Sequence, residues 1–453
     1  MSGFVNSLRV NAAGGQLVVG GEVNQRVSVG ATAFFRSLPR LPQPRAIDLL
    51  MIAIGAYAAD RMALRYGRQH AIRSFHITFG VEDLAFWSRP EIGEQIVEIL
   101  SFLTDDNWCV SFEQTRENWY QVVLPIKWFT PTRIALFSEG LDSAAGLADQ
   151  ALRGSDQILL VTVGHYAALR RRAERQILKL AELVPDLCGK HASLLVSLRG
   201  GVARRLRLQE KTQRSRAFLF CAAAIAAAAA CEVPNIDVYE NGVGAINLPP
   251  MTGMLFGGLA TRGAHPSFLK MMSALGALVI DQPVSFSLPY QDLTKGELVA
   301  ALRGRGLEDW LQQSRSCIHS SLRIAGVTHC GLCPGCIERR LAFAIAGIEE
   351  NVRSYSVDLF HSSIRAGLRD YFDVLFEQSA GLLSDDPLVV RRLRAHLRGT
   401  GVDSADDERI HQLLCRNADE VRRVFSGVRR RLSAPERVAG SGSPSLAFTG
   451  VAI

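Results

Sequence analysis

The sequence has no long hydrophobic run. The longest stretch, residues 217–231, is Ala-rich and covers 15 residues. A membrane-spanning helix needs about 20 apolar residues, so this stretch predicts a buried helix instead. No basic segment leads into an apolar one near the first residue, so we expect no secretory signal and a cytoplasmic location.

Cysteine is scarce outside one cluster. The 453 residues include nine cysteines, and four of them lie at Cys317, Cys330, Cys333 and Cys336. This spacing favours a metal site in a reducing compartment over disulfides. The spacing C-x12-C-x2-C-x2-C can close a tetrahedral shell of four thiolates around Zn²⁺, which leaves no position for water and predicts a structural role.

Neither charge nor composition is extreme. The formal net charge is +7, 21% of residues are charged and 48% are hydrophobic. These values indicate an ordinary globular protein of two or three domains, and the positive charge is a weak indication of an anionic ligand.

Residues 134–148, IALFSEGLDSAAGLA, predict a strand, an anion-binding loop and a helix. Backbone N–H groups and the positive end of the helix would converge on a phosphate. Ser138 and Ser143 add hydroxyls, Gly140 permits close approach, and Asp142 either holds Mg²⁺ or orients the loop. No Gly-Lys-Ser/Thr follows, which excludes a Walker loop. A plain connecting turn is the alternative.

Further strands are predicted at 157–163, 192–198, 236–239 and 284–288, each after helical pattern, which indicates a parallel sheet with ligands at its carboxyl edge. Arg214 and Arg216 suit either an anion clamp or a solvated face. Arg262 and His265 stand at a helix start, where they can bind an anion or cap the helix.

Thr294 and Glu297 predict a capping box.

The flanking regions carry no nucleotide signature. Residues 1–130 predict an α+β domain with a hairpin or two edge strands at 16–32 and strands at 108–112 and 119–124. From 349 onward the pattern is helical and rich in arginine. Nucleic-acid binding is one interpretation of these basic helices, and a solvated basic face is the favoured one. A flexible tail is expected after 433.

The run SEGLDS resembles the SGGxDS loop of the PP-loop ATP pyrophosphatases, which cleave ATP to AMP and pyrophosphate. Glu139 departs from that pattern. A carboxylate about 4 Å from a phosphate charge costs roughly 4 kcal/mol at an effective dielectric of 20. An outward side chain, Mg²⁺, or a neighbouring Lys or Arg would remove that cost.

Over 131–348 the order of motifs resembles the QueC family, the 7-cyano-7-deazaguanine synthases. The resemblance implies ATP-dependent adenylation of 7-carboxy-7-deazaguanine, attack by ammonia, and zinc on the four cysteines. It also implies that the loop binds pyrophosphate, with Arg214 facing the nucleotide. The loop positions are Ser138, Glu139, Gly140, Leu141, Asp142 and Ser143.

Two departures from QueC shape the functional prediction. The segment ENGVGAINLPPM replaces an aspartate-rich loop, and the flanking regions resemble the longer QueC-like proteins of bacterial anti-phage systems, the Qat system and type IV CBASS. That resemblance implies transfer of a deazaguanine carboxylate to an amine of a partner protein, with Arg262 and His265 near the reacting carboxylate.

The sequence thus predicts a doubly wound α/β fold of the PP-loop type over 131–348, with flanking domains at 1–130 and 349–453. The predicted cofactors are ATP, Mg²⁺ and zinc, and Asp142, Arg214, Arg262 and His265 are the candidate catalytic residues. The alternatives are ordinary 7-cyano-7-deazaguanine synthesis, a tRNA-modifying adenylase, or an inactive scaffold that owes its inactivity to Glu139.

Overall fold

The computed structural model describes residues 5–433 except for 14–15, 21–24, 66–71, 116, 121–129, 155–156, 166, 186, 199–208, 211, 250–260, 319–326, 362–365 and 385. The predicted strand at 119–124 and the predicted tail after 433 therefore lie wholly or largely outside the described residues.

The described strands form one ten-stranded sheet. They are β1 (Val5–Ala13), β2 (Gln16–Gly20), β3 (Gln25–Val29), β4 (Ser74–Val81), β5 (Asn107–Gln114), β6 (Arg133–Leu136), β7 (Gln157–Gly164), β8 (Cys188–Leu198), β9 (Asn235–Val238) and β10 (Ser285–Ser287).

Helices surround this sheet and form the C-terminal region. They are α1 (Ala31–Arg36), α2 (Pro44–Met62), α3 (Leu84–Trp87), α4 (Pro90–Thr104), α5 (Leu141–Arg153), α6 (Ala167–Leu183), α7 (Arg216–Cys231), α8 (Gly242–Ile246), α9 (Pro266–Ile280), α10 (Lys295–Ala300), α11 (Glu308–Gln312), α12 (Pro334–Ala346), α13 (Ala366–Leu383), α14 (Pro387–Gly399) and α15 (Asp407–Ser433).

The central half of the sheet has the order β8-β7-β6-β9-β10, and all five strands are parallel. This is the order of a doubly wound sheet, in which the strand order reverses between β6 and β9. Helices α5 and α6 cover one face, while α7 and α9 cover the other. The predicted parallel sheet is confirmed, and its topology is consistent with a PP-loop fold.

The N-terminal strands continue the same sheet. β3 pairs antiparallel with β8, β2 pairs antiparallel with β3 and with β1, and β4 and β5 follow parallel to β1. The predicted hairpin at 16–32 is therefore present as β2 and β3. Because β4 and β5 run opposite to β6 and β9, they begin at the edge of the sheet where β6 and β9 end.

Two helices without a polar stripe form the centre of the core. α7 is the predicted buried helix at 217–231, and most of α2 is also buried. A helix that is apolar on every side is stable only when it is enclosed, and here α2 and α7 pack against each other. The N-terminal region thus encloses a helix of the central region.

The C-terminal region packs against the central one through α15. This helix contacts α12 and α8 and pairs with α13. In the described part of the chain, no helix is long and apolar enough to cross a membrane.

Candidate functional site

The loop after β6 has the predicted form of strand, tight turn and helix. Ser138 Oγ lies 3.0 Å from Ser143 Oγ and accepts a hydrogen bond from the Gly140 N–H at 3.1 Å. A Cβ atom on Gly140 would lie 3.1 Å from Ser138 Oγ, so a side chain there would require a small shift of the serine. The first N–H groups of α5 have no partner within the helix. Leu141 is buried in the core, so it can serve a ligand only through its backbone.

Glu139 does not point into solvent. It is 8% exposed, and both of its carboxylate oxygens accept hydrogen bonds from the guanidinium of Arg172 on α6. Such a bidentate ion pair is among the strongest charge-assisted contacts in proteins. Arg172 therefore supplies the compensating cation that the departure from SGGxDS requires.

Asp142 is held from two sides. Its Oδ1 accepts a hydrogen bond of 2.8 Å from Asn241 Nδ2, and its Oδ2 lies 3.1 Å from Lys295 Nζ. Asn241 follows β9, and Lys295 is the first residue of α10, inside the confirmed capping box of Thr294. These contacts support the orienting role for Asp142. Its alternative role as a Mg²⁺ ligand stays a prediction.

Burial and the charge of Asp142 determine the protonation states of two groups beside it, Glu240 and Lys295. Burial and the nearby Asp142 charge raise the pKa of Glu240 well above its usual range, and this favours the neutral acid. Burial lowers the pKa of Lys295, but the carboxylates of Asp142 and Glu338 outweigh this effect and raise it. Lys295 is therefore a stable cation beside the loop.

The metal cluster has the geometry of a zinc site. The sulfur atoms of Cys317, Cys330, Cys333 and Cys336 all lie within 4.8 Å of one another, and two pairs are 3.9 Å apart. A tetrahedral ion with Zn–S bonds of about 2.3 Å places its sulfurs about 3.8 Å apart. Backbone N–H groups at 3.3–3.4 Å from the Cys330 sulfur support its thiolate form. The four cysteines fit structural zinc.

The metal cluster is linked to the loop by a short segment. The Arg315 N–H donates to the Glu139 carbonyl at 2.6 Å, two residues before Cys317. Buried Arg339, on the helix that begins beside Cys333, donates to the Ser314 carbonyl at 3.0 Å. Among the described residues, none forms a hydrogen bond or ion pair with the Arg315 side chain. Arg315 is therefore a basic residue that contacts the loop through its backbone N–H.

Arg214 and Arg262 both form an ion pair with Asp105, a residue that the sequence did not indicate as part of a site. Their Nη1 atoms lie 3.2 and 2.8 Å from the two carboxylate oxygens of Asp105, between α4 and β5. Arg214 precedes α7 and Arg262 precedes α9, so both stand at the same edge of the sheet as the loop. Within the described residues, no contact joins this pair to Asp142. The role of Arg214 at a nucleotide stays a prediction.

His265 caps α9 and is fully buried. Its Nδ1 accepts from the Ser267 N–H at 3.3 Å, while its Nε2 has no hydrogen-bond partner in the described part of the chain. Burial, with contributions from the neighbouring His396 and Arg262, lowers its pKa to about 4. The ring is therefore neutral at pH 7, with one nitrogen available to a ligand. The capping alternative is confirmed, and a role at a carboxylate stays a prediction.

The N-terminal region reaches the same edge through α2. The ring of Tyr57 stacks on His165, which follows β7, with centroids 5.1 Å apart. Burial lowers the pKa of His165 to about 4, with Arg216 and Arg61 contributing. An uncharged aromatic pair therefore stands at the carboxyl end of β7.

Sequence reasoning missed three residues that complete the loop: Arg172, Asn241 and Lys295. Arg172 lies in an arginine-rich helix in which the sequence does not distinguish one arginine from the next. Asn241 lies in the segment ENGVGAINLPPM and Lys295 lies inside the predicted capping box, and neither pattern by itself indicates a contact with Asp142. Their position in the sequence could have indicated them, because both residues follow strands of the predicted sheet at its carboxyl edge.

The comparisons with known proteins support part of this assignment. Residues 263–347 match the model of the family described as queuosine biosynthesis protein QueC. The match includes His265, Lys295 and the four cysteines but not the loop at 138–143. Compared with curated proteins, the chain has no match. The QueC match over these 85 of 453 residues supports a QueC-like family for the chain and suggests an ATP-utilising enzyme.

Proposed function

We propose that this chain binds ATP at the carboxyl edge of its parallel sheet and adenylates a carboxylate, releasing pyrophosphate. The observation that carries the proposal is the loop at 138–143, which lies at the point where the strand order reverses and has its one unfavourable charge paired with Arg172. Open α/β sheets bind ligands at this point.

The loop offers what a pyrophosphate group needs. The free N–H groups at the start of α5 and the hydroxyls of Ser138 and Ser143 are the donors, and the helix dipole favours negative charge. Arg315 is a basic residue beside the loop, and the Lys295 cation balances the charge of Asp142. The ATP-dependent step is attack of a carboxylate oxygen on the α-phosphorus, which breaks the bond to pyrophosphate and leaves an acyl adenylate.

The proposed carboxylate is 7-carboxy-7-deazaguanine, and the proposed acceptor is an amine of a partner protein from an anti-phage system. The resemblance to QueC implies the first, and the replacement of the aspartate-rich QueC loop by ENGVG motivates the second. Attack of the amine nitrogen on the acyl carbon forms the amide, expels AMP and releases one proton. Correct orientation of the amine supplies much of the rate.

We place the carboxylate near Arg262 and His265. The Asp105 carboxylate lies between Arg214 and Arg262, and this supports the placement because both guanidiniums already pair with a carboxylate. Because the Nδ1 of the neutral His265 ring accepts a hydrogen bond, Nε2 carries the proton and is a donor without a partner among the described residues. We expect Arg262→Ala to raise the KM for the carboxylate more than tenfold and to change the KM for ATP little.

The test uses the full chain with ATP, Mg²⁺ and 7-carboxy-7-deazaguanine, and it measures AMP and pyrophosphate. Asp142→Ala is the inactive control. Mass spectrometry of co-expressed partner proteins then detects the added acyl group. Release of free 7-cyano-7-deazaguanine as the sole product with ammonia, without added mass on a partner, would show ordinary QueC activity instead.

The scaffold alternative now has less support. It required Glu139 to repel ATP, and the pairing with Arg172 removes most of that repulsion.

A further inference from the structure

The C-terminal helix α15 contacts both segments that hold Asp142. One segment, 292–297, carries Lys295, and the other, 240–246, carries Asn241. Both contacts are made by a region outside the part of the chain that matches QueC.

The first contact is polar. Thr294 Oγ1, the cap of α10, donates to Glu420 Oε1 at 2.7 Å. One turn earlier on α15, Arg416 donates to Glu297 Oε1 at 2.8 Å and to the Asp292 carbonyl at 2.6 Å. α15 therefore binds the residues on both sides of Lys295.

The second contact is a close approach. A Cβ atom on Gly242 would lie 2.6 Å from Leu413 Cδ2 and 1.8 Å from the Gln291 carbonyl oxygen. The Gly242 N–H also donates to the Leu293 carbonyl at 2.9 Å. Leu413 thus packs against the start of α8, next to Asn241. On its other side, the start of α8 contacts the segment that leads to Lys295.

We propose that α15 positions the nucleotide loop: Glu420, Arg416 and Leu413 fix the two segments from which Lys295 and Asn241 reach Asp142. Glu420 and Arg416 are positioning residues, since they act on Asp142 through other groups. This inference rests on the proposed function for its effect on ATP, while the positioning itself can be measured without turnover.

Simple packing does not account for Glu420. Its side chain is buried, its Oε2 atom has no hydrogen-bond partner in the described residues, and an apolar residue would fill the same space at lower cost. What the carboxylate adds is a directed bond to the cap of α10. The charged groups that face it are Glu297 on α10 and Arg416 and Arg423 on α15.

The experiment combines hydrogen exchange with kinetics on the full chain. The variants are Glu420→Ala, Arg416→Ala and Glu420→Gln, which can keep the bond from Thr294. Asp419→Asn is the matched control, because it is exposed on the same helix. In the two Ala variants we expect faster amide exchange in 292–300 and 241–247, with unchanged exchange in α4.

In the same Ala variants, kcat/KM for ATP should fall about tenfold or more, while Glu420→Gln and Asp419→Asn stay within about twofold of the starting protein. Unchanged exchange in both segments would overturn the proposal, and so would faster exchange with unchanged kcat/KM. If the starting protein does not turn over ATP, the proposed function fails, and unchanged or faster exchange still decides the positioning.

Discussion

The charge of Glu139 is the residue-level feature on which the proposed ATP binding depends. In the free loop its carboxylate would oppose a phosphate, but Arg172 takes both oxygens in a largely buried pair. With this pair intact, the loop has the same net charge as an SGGxDS loop with glycine at position 139. Without Arg172, it would carry one more negative charge. Lys295 and Asn241 compensate Asp142 in a similar way.

The first prediction concerns this pair. Arg172→Met should weaken ATP binding by up to about a thousandfold, because about 4 kcal/mol of repulsion from Glu139 is restored. Adding Glu139→Gly should recover most of the affinity. Isothermal titration of the two single variants and the double variant measures the coupling.

Arg171→Met is the control for the first prediction, since Arg171 is exposed on the same helix. Equal losses in Arg172→Met and in the double variant would contradict the role given to the pair.

At the scale of elements, α12 connects the metal cluster to the loop. It begins at Pro334 directly after Cys333 and carries Cys336 in its first turn, and Arg339 one turn later holds the Ser314 carbonyl. Arg315 then binds the loop through its backbone. A structural metal at the start of α12 therefore has a short path to the Glu139 carbonyl.

The second prediction is that Cys333→Ser lowers the zinc content well below one ion per chain and reduces both solubility and ATP affinity. Four-thiolate sites contribute on the order of 10 kcal/mol to local folding. Metal analysis of the purified chain checks the content. Cys231→Ser is the control, because Cys231 lies outside the cluster, and a full zinc content in Cys333→Ser would refute the assignment.

The third prediction concerns the stability that α15 confers. Burial raises the pKa of Glu420 from 4.5 to about 7, with Glu297 contributing, although the bond from Thr294 lowers it. The unfolded chain then loses the proton of Glu420 at lower pH than the folded one. The contribution of Glu420 to the free energy of unfolding should therefore fall by up to about 3 kcal/mol as pH rises from about 4.5 to about 7. Above that range it should be constant.

Glu420→Gln should remove this part of the pH dependence. Urea unfolding at pH 5, 6, 7 and 8 measures it, with Asp419→Asn as the exposed control. A pH profile of the unfolding free energy that is the same in Glu420→Gln as in the starting protein would show that Glu420 titrates normally.

At the scale of the whole molecule, a buried charged cluster joins the N-terminal and central regions. Arg73 Nη2 lies 2.6 Å from both Asp60 and Asp106, and Asp60 accepts two hydrogen bonds from Ser215, just before α7. The sheet also continues across residue 130 through β3 and β8. We therefore expect the two regions to unfold together.

The fourth prediction is that one unfolding transition is seen by tryptophan fluorescence and by zinc release. Trp87 and Trp108 report on the N-terminal region, and the cysteines report on the central one. Arg73→Met should lower the unfolding free energy by about 3–5 kcal/mol, because it leaves the buried Asp60 carboxylate without its cation, while Asp106 keeps its pair with Arg65. Arg9→Met, which removes an exposed pair with Glu113, should change it by less than about 1 kcal/mol. Two separate transitions would contradict the joint core.

The sequence by itself determined the local features. The alternation of strands and helices from 131 onward, the Thr294 capping box, the buried Ala-rich helix and the cysteine spacing all follow from periodicity, caps and ligand geometry, which act over a few residues. The phosphate-type loop also follows from its own six residues.

Only the tertiary structure decided which residues complete the site. Arg172 lies 33 positions from Glu139 and Lys295 lies 153 positions from Asp142, and one arginine or lysine in a helix resembles another until the sheet brings it to the loop. The continuation of the sheet into the N-terminal region depends on pairing between β3 and β8, which are far apart in the chain. Long-range pairing is set by packing and burial of complete faces, and local patterns do not encode it.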